Sequence, residues 1–69
     1  MSKVIPLANT QNGVISVTKL EKPYGDDSKP VVSIGISLNG DVDNPDWKAH
    51  IPLENVEELC KAVQEVANS

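Results

Sequence analysis

The sequence predicts an α+β fold, in which a three- to four-stranded antiparallel meander sheet is followed by one C-terminal amphipathic helix packed on one sheet face. Residues 30–38 alternate between apolar and small side chains, which is the period of a strand with two unlike faces. Residues 54–67 repeat apolar side chains three and four positions apart, which indicates one face of a helix. The 69 residues allow a single small domain, which we place over residues 1–69.

The first two strands are expected over residues 3–8 and 13–22. Pro6 lacks the N–H group that a central strand donates, so the first strand is predicted to be an edge strand or an arm. The pair at residues 12–13 is Asn-Gly, which favours a type I′ turn between the two strands.

The third strand, over residues 30–38, places its apolar side chains on one side and its small side chains on the other. A segment rich in turn formers then leads to a fourth strand over residues 46–51. The helix, over residues 54–67, is expected to cover the apolar side of the sheet. The side chains expected to be buried there are Ile15, Val17, Val32, Ile34, Ile36, Leu38, Trp47 and Ile51.

The predicted helix has Asn55 as its N-cap, and Glu58 three residues later completes a pair that resembles a capping box. Cys60 is expected to be buried as a small hydrophobic residue, and as the only cysteine it forms no internal disulfide. The apolar side chains of this helix form the apolar stripe, which consists of Val56, Leu59, Cys60, Val63, Val66 and Ala67.

Composition excludes some classes of partner. Ten acidic residues outnumber six lysines and arginine is absent, so the formal charge of −4 argues against binding duplex DNA or an anionic membrane. No apolar run approaches the roughly 20 residues of a membrane span, and no signal-like segment opens the chain. We therefore expect a cytoplasmic protein that does not associate with membranes.

The acidic segment that contains Asp41 and Asp43 does not match the pattern of a calcium-binding EF-hand loop. Such a loop needs an oxygen ligand at position five, glycine at six and glutamate at twelve. Counted from Asp41, those positions hold Pro45, Asp46 and Pro52. The segment is therefore predicted to be a solvated loop without a metal.

His50 is the only histidine, and a catalytic base needs a positioned nucleophile or carboxylate partner. Ser33 and Ser37 are predicted to share its side of the sheet, but neither lies in a Gly-x-Ser-x-Gly elbow. We expect the chain not to be an enzyme, with no catalytic residue, no cofactor and no metal.

The sequence favours a homodimer. With one Trp, one Tyr and no Phe, the core is small and aliphatic, and a second copy would enlarge it. One helix covers only one side of a sheet, so the other side or an edge is free to bind another protein, whose identity is unknown. We call this second side the polar face, formed by Ser16, Thr18, Ser33, Gly35, Ser37, Lys48 and His50.

An alternative function is single-stranded nucleic-acid binding. The order of strands before one helix is similar to that of the PC4-type transcription coactivators, and residues 35–39 (Gly-Ile-Ser-Leu-Asn) resemble a strand end of that family. The resemblance implies a dimer that binds single-stranded DNA. A third hypothesis is an acidic inhibitor that mimics nucleic acid. For single-stranded nucleic-acid binding, the expected contacts are Lys19, Lys22, Tyr24, Lys29 and Lys48.

Overall fold

Turn-forming residues divide the chain into four strands, and the helical repeat near the C-terminus forms one helix in the computed structural model, which describes all 69 residues. The sheet has the order β1-β2-β3-β4 with every neighbouring pair antiparallel, so the predicted α+β meander is confirmed. The helix lacks the length and apolar character needed to span a bilayer. The elements are β1 (Ser2–Pro6), β2 (Val14–Leu20), β3 (Val31–Ser37), β4 (Trp47–Pro52) and α1 (Leu53–Ala67).

The strand register separates two unlike faces. Ile15 pairs with Ile36, which in turn pairs with Trp47, and paired residues of antiparallel strands point to the same face. The opposite side of the same strands is the polar face. The apolar face is formed by Ile5, Ile15, Val17, Val32, Ile34, Ile36, Trp47, Ala49 and Ile51.

Burial of β3 is the reverse of the sequence expectation. Along this strand the buried positions alternate with half-buried ones, and Ser33 and Ser37 are buried whereas Ile34 and Ile36 are only half-buried. Val31 is the one buried hydrophobic residue of the whole chain. The predicted burial of eight apolar side chains beneath the helix is therefore wrong for the single chain, because the structure covers the side of small residues instead.

The helix projects away from the sheet. It contacts β3 and β4 only, and none of its residues is buried. Exposure of the apolar stripe rises along α1, from 37% at Leu59 to 59% at Val63 and 74% at Val66. Cys60 is also exposed, which corrects the prediction of a buried thiol.

The start of the helix differs from the predicted cap. α1 begins at Leu53, directly after the last residue of β4, and its N-cap residue is Pro52 with no side-chain cap. The prediction of Asn55 as N-cap is wrong because the strand runs into the helix without a connecting loop. Farther along, the predicted pairing of helix charges is present, with Lys61 Nζ lying 3.4 Å from Glu57 Oε1.

The connection between β1 and β2 is closed by a threonine rather than by an Asn-Gly turn. The Thr10 hydroxyl donates to the Leu7 carbonyl at 2.7 Å and accepts from the Gly13 N–H at 3.0 Å. The left-handed residue is Asn9, with φ of 66°, whereas a type I′ turn would need positive φ at residues 12–13. The predicted turn at residues 12–13 is therefore wrong.

Candidate interaction face

The polar face gathers all seven residues predicted for it from three adjacent strands. Thr18 pairs with Ser33, and Ser33 pairs with His50, so these three side chains form one row across the sheet. The neighbouring row contains Ser16, Gly35 and Lys48, and Ser37 completes the face on β3. Strand alternation alone was sufficient to predict this grouping.

Part of the polar face is covered by the segment between β3 and β4. A Cβ added to Gly35 would lie 3.2 Å from Pro45 Cβ and 2.9 Å from Ser16 Oγ, so a larger residue would require Pro45 and the Ser16 side chain to shift. The glycine therefore admits a proline of the same chain. Ser37 is completely buried, and its hydroxyl has no hydrogen-bond partner.

Asp46 anchors this covering segment to β3. Its carboxylate oxygen Oδ2 accepts a hydrogen bond from the Leu38 N–H at 2.7 Å. Its own N–H donates to the Ile36 carbonyl at 2.8 Å. The two bonds hold the end of the segment against its start. The bond to the carboxylate is the stronger of the two, because its acceptor is charged.

Asp41 shapes the tip of the segment. Its carboxylate accepts from the Asp43 N–H at 3.1 Å and from the Asn44 side-chain amide at 3.0 Å. These bonds, that of Asn44 foremost, hold the pKa of the Asp41 carboxyl below its ordinary value of 3.8. No group of three or more His, Cys, Asp or Glu side chains is placed to hold a metal ion. The carboxylate of Asp41 therefore stabilises the turn through hydrogen bonds within the segment.

We expect Asp46→Ala to destabilise the protein by about 1–2 kcal/mol, because it leaves the Leu38 N–H without its charged acceptor. Urea unfolding followed by circular dichroism measures the loss. Asp27→Ala is the matched control, since Asp27 is an exposed loop aspartate without a hydrogen bond or ion pair. Equal losses in the two variants would show that Asp46 does not anchor the segment.

A shallow pocket of about 250 Å³ lies between the covering segment and the polar face. Its lining includes Ser16, Thr18, Ser33 and Lys48. Small-molecule sites usually occupy about 300–1,000 Å³ and are mostly apolar. The pocket is smaller and its lining is more polar than apolar, so it lacks the size and the apolar lining that are typical of a small-molecule site.

Tyr24 joins the polar face from the loop between β2 and β3. Its hydroxyl oxygen lies 2.8 Å from His50 Nδ1, and the ring centroids are 5.8 Å apart. The other ring nitrogen, Nε2, is buried and has no partner. His50 therefore bonds to the phenol of Tyr24 and to no carboxylate or thiol.

The lysines predicted for nucleic-acid binding are not brought together. Lys19 lies on the same side as the apolar face, paired with Val32, whereas Lys48 lies on the polar face. Lys22 and Lys29 belong to the loop between β2 and β3. Three of these lysines lie close to carboxylates: Lys19 to Glu21 at 3.6 Å, Lys22 to Asp26 at 3.7 Å, and Lys29 to Glu54 at 3.8 Å.

No protein-family model, curated protein or solved structure matches the chain. The resemblance to PC4-type coactivators stays a prediction that depends on the order of elements and on residues 35–39. What the protein does has to be inferred from its own surfaces.

Proposed function

We propose that the protein is a small, non-enzymatic interaction protein that works as a homodimer and binds another macromolecule through its polar face or a sheet edge. One observation carries the proposal: the single chain has almost no core. Of 69 residues five are buried, and Val31 is the one hydrophobic residue among them. Burial of apolar side chains is the main force that stabilises a fold, so this chain needs a second surface to cover it.

The exposed area supports assembly. The single chain exposes 5415 Å², whereas a compact monomer of its 7.4 kDa would expose about 4,200 Å². The excess is about 1,200 Å² per chain, or roughly 2,400 Å² for two copies. An interface of that total lies in the range of obligate homodimers, above the roughly 1,600 Å² of a standard complex.

The shape of the chain supports the same conclusion. Its radius of gyration is 13.2 Å, whereas a compact domain of this length has about 11 Å. The body is flat, with extents of 39 × 32 × 18 Å. A second copy placed against the exposed apolar surfaces would restore a compact particle.

Ser33, Gly35 and Ser37 are buried in the single chain, so the part of the polar face that the dimer leaves for a partner is formed by Ser16, Thr18, Lys48 and His50. It carries hydroxyls, the Tyr24–His50 pair and the exposed Lys48. Such a surface fits the polar rim and hydrogen bonds of a non-obligate interface. The edges, β1 and β4, offer a second route by strand addition.

We expect sedimentation equilibrium to give twice the chain mass of 7.4 kDa at tens of micromolar protein. Dissociation on dilution should be accompanied by loss of the circular dichroism signal, because the single chain lacks a core. A particle of single-chain mass that keeps its full signal and unfolds cooperatively would overturn the homodimer.

Single-stranded nucleic-acid binding remains a second candidate because Tyr24 is 74% exposed beside the polar face, as a base-stacking aromatic would be. The dispersal and ion pairing of the lysines weigh against it. A titration with single-stranded oligonucleotides at low salt separates the two functions, since phosphate contacts give affinity that falls steeply with added salt. Salt-independent or undetectable binding would exclude this candidate.

A further inference from the structure

We infer that the occupant of the apolar face is the apolar stripe of a second copy, with each copy's helix lying across the sheet of the other. This inference rests on the proposed homodimer and specifies which surfaces meet. Every residue of the apolar face is exposed or only half-buried, including Trp47 at 53% exposure. Both surfaces are therefore only partly covered in the single chain.

The chain's own helix does not cover its own apolar face because there is no connection to turn it back. β4 ends at Pro52 and α1 begins at Leu53. A helix folded onto its own sheet needs a loop of a few residues before it. The increasing exposure from Leu59 to Val66 follows from this geometry, since the helix leaves the sheet as it extends.

The helix and the sheet fit each other in size. α1 has 15 residues and is about 22 Å long at 1.5 Å per residue. The four strands span about 14 Å from the first axis to the last at 4.8 Å per step. One helix is therefore long enough to cross all four strands of a second copy.

Charge around the two surfaces is complementary. Lys3 and Lys19 lie on the strand side that carries the apolar face, because Lys3 pairs with Val17 and Lys19 with Val32. Glutamates predominate on the rest of the helix, at positions 54, 57, 58 and 65. Carboxylates beside the stripe would meet Lys3 and Lys19 at the margin of the partner's sheet, where Lys19 would exchange its exposed contact with Glu21 for a carboxylate of the partner. This favours the pairing of helix with sheet over two sheets or two helices of like charge.

A two-fold dimer uses both surfaces twice. The contact is isologous, because each copy gives its helix and receives the partner's helix. The excess area of roughly 2,400 Å² in the pair is the area that two such seams would have to bury. The arrangement also leaves both polar faces pointing outward, where two identical partner sites would be available.

Disulfide trapping tests the arrangement, with the native Cys60 on the stripe as one reporter, since it is exposed and is the only cysteine. The second cysteine is placed in turn at Val17, Ile34 and Ala49, which form one row across the apolar face. A crossing helix passes close to at least one position of this row. After mild oxidation, we expect at least one variant to give a covalent dimer on a non-reducing gel.

Matched controls decide which surfaces meet. Wild type, with Cys60 alone, would cross-link only if two helices pack together, and the same row variants with Cys60→Ser would cross-link only if two sheets pack face to face. Either result, or a disulfide within one chain, would overturn the inference. The absence of any cross-link along the row would also overturn the inference. If sedimentation still gave a dimer in that case, the proposed homodimer would stand without this arrangement.

Trp47 gives a second measurement that needs no substitution. In the proposed dimer the partner's helix covers the apolar face, so acrylamide quenching of Trp47 should be weak at high protein concentration and should increase on dilution. Strong quenching in a particle of dimer mass would contradict coverage of this face. A single-chain mass at every concentration would instead contradict the proposed homodimer.

Discussion

Val63→Asp is expected to dissociate the dimer and to unfold the chain at micromolar concentration. Val63 lies in the middle of the apolar stripe and is 59% exposed in the single chain. At a solvent-exposed site such a change would alter stability by about 0.5 kcal/mol or less. Against a partner's apolar face it would bury a carboxylate without a counter-charge, which costs several kcal/mol at each of two seams. Sedimentation equilibrium and far-ultraviolet circular dichroism measure the two effects.

Gln64→Asp is the matched control. It adds the same charge one residue later, at about 100° around the helix axis from Val63 and off the apolar stripe. We expect this control to remain dimeric and folded. If Val63→Asp were as dimeric as Gln64→Asp, the stripe would not lie in the interface.

The fold could be predicted from the sequence because its information is local. Alternation along β3 and the helical repeat after residue 53 each depend on neighbouring residues, and each predicted the correct type of element. Alternation shows that a strand has two unlike faces, but it does not show what covers either of them. That depends on the segment anchored by Asp46, whose two bonds bring Pro45 onto Gly35. Coverage of a sheet face by a segment distant in sequence leaves no periodic pattern from which it could be predicted.

The candidate site was predictable to the same extent. The seven side chains of the polar face follow from the strand alternation, and the register brings them together. The contact between Tyr24 and His50 joins residues 26 positions apart through an irregular loop, so no spacing rule finds it. The free helix was missed for a related reason, because an apolar stripe predicts a partner surface without telling whether that surface belongs to the same chain.

Ile36→Ala separates a covered apolar face from an open one by the size of its effect. In the single chain Ile36 is only half-buried, so truncation would cost well under the range for core residues. Beneath a partner's helix it becomes a core residue, and we expect a loss of about 2–5 kcal/mol. Urea unfolding at two protein concentrations measures the loss.

The control for Ile36→Ala is Val4→Ala, at an edge-strand position that is 55% exposed on the opposite side of the sheet. We expect its loss to be small and independent of the interface, because nothing in the proposed dimer covers Val4. The midpoint of Ile36→Ala should also depend on protein concentration as that of wild type does, since unfolding and dissociation are then one process. If the two variants lost equal free energies of unfolding within error, the apolar face would be open in solution. That result would contradict its coverage by a second copy.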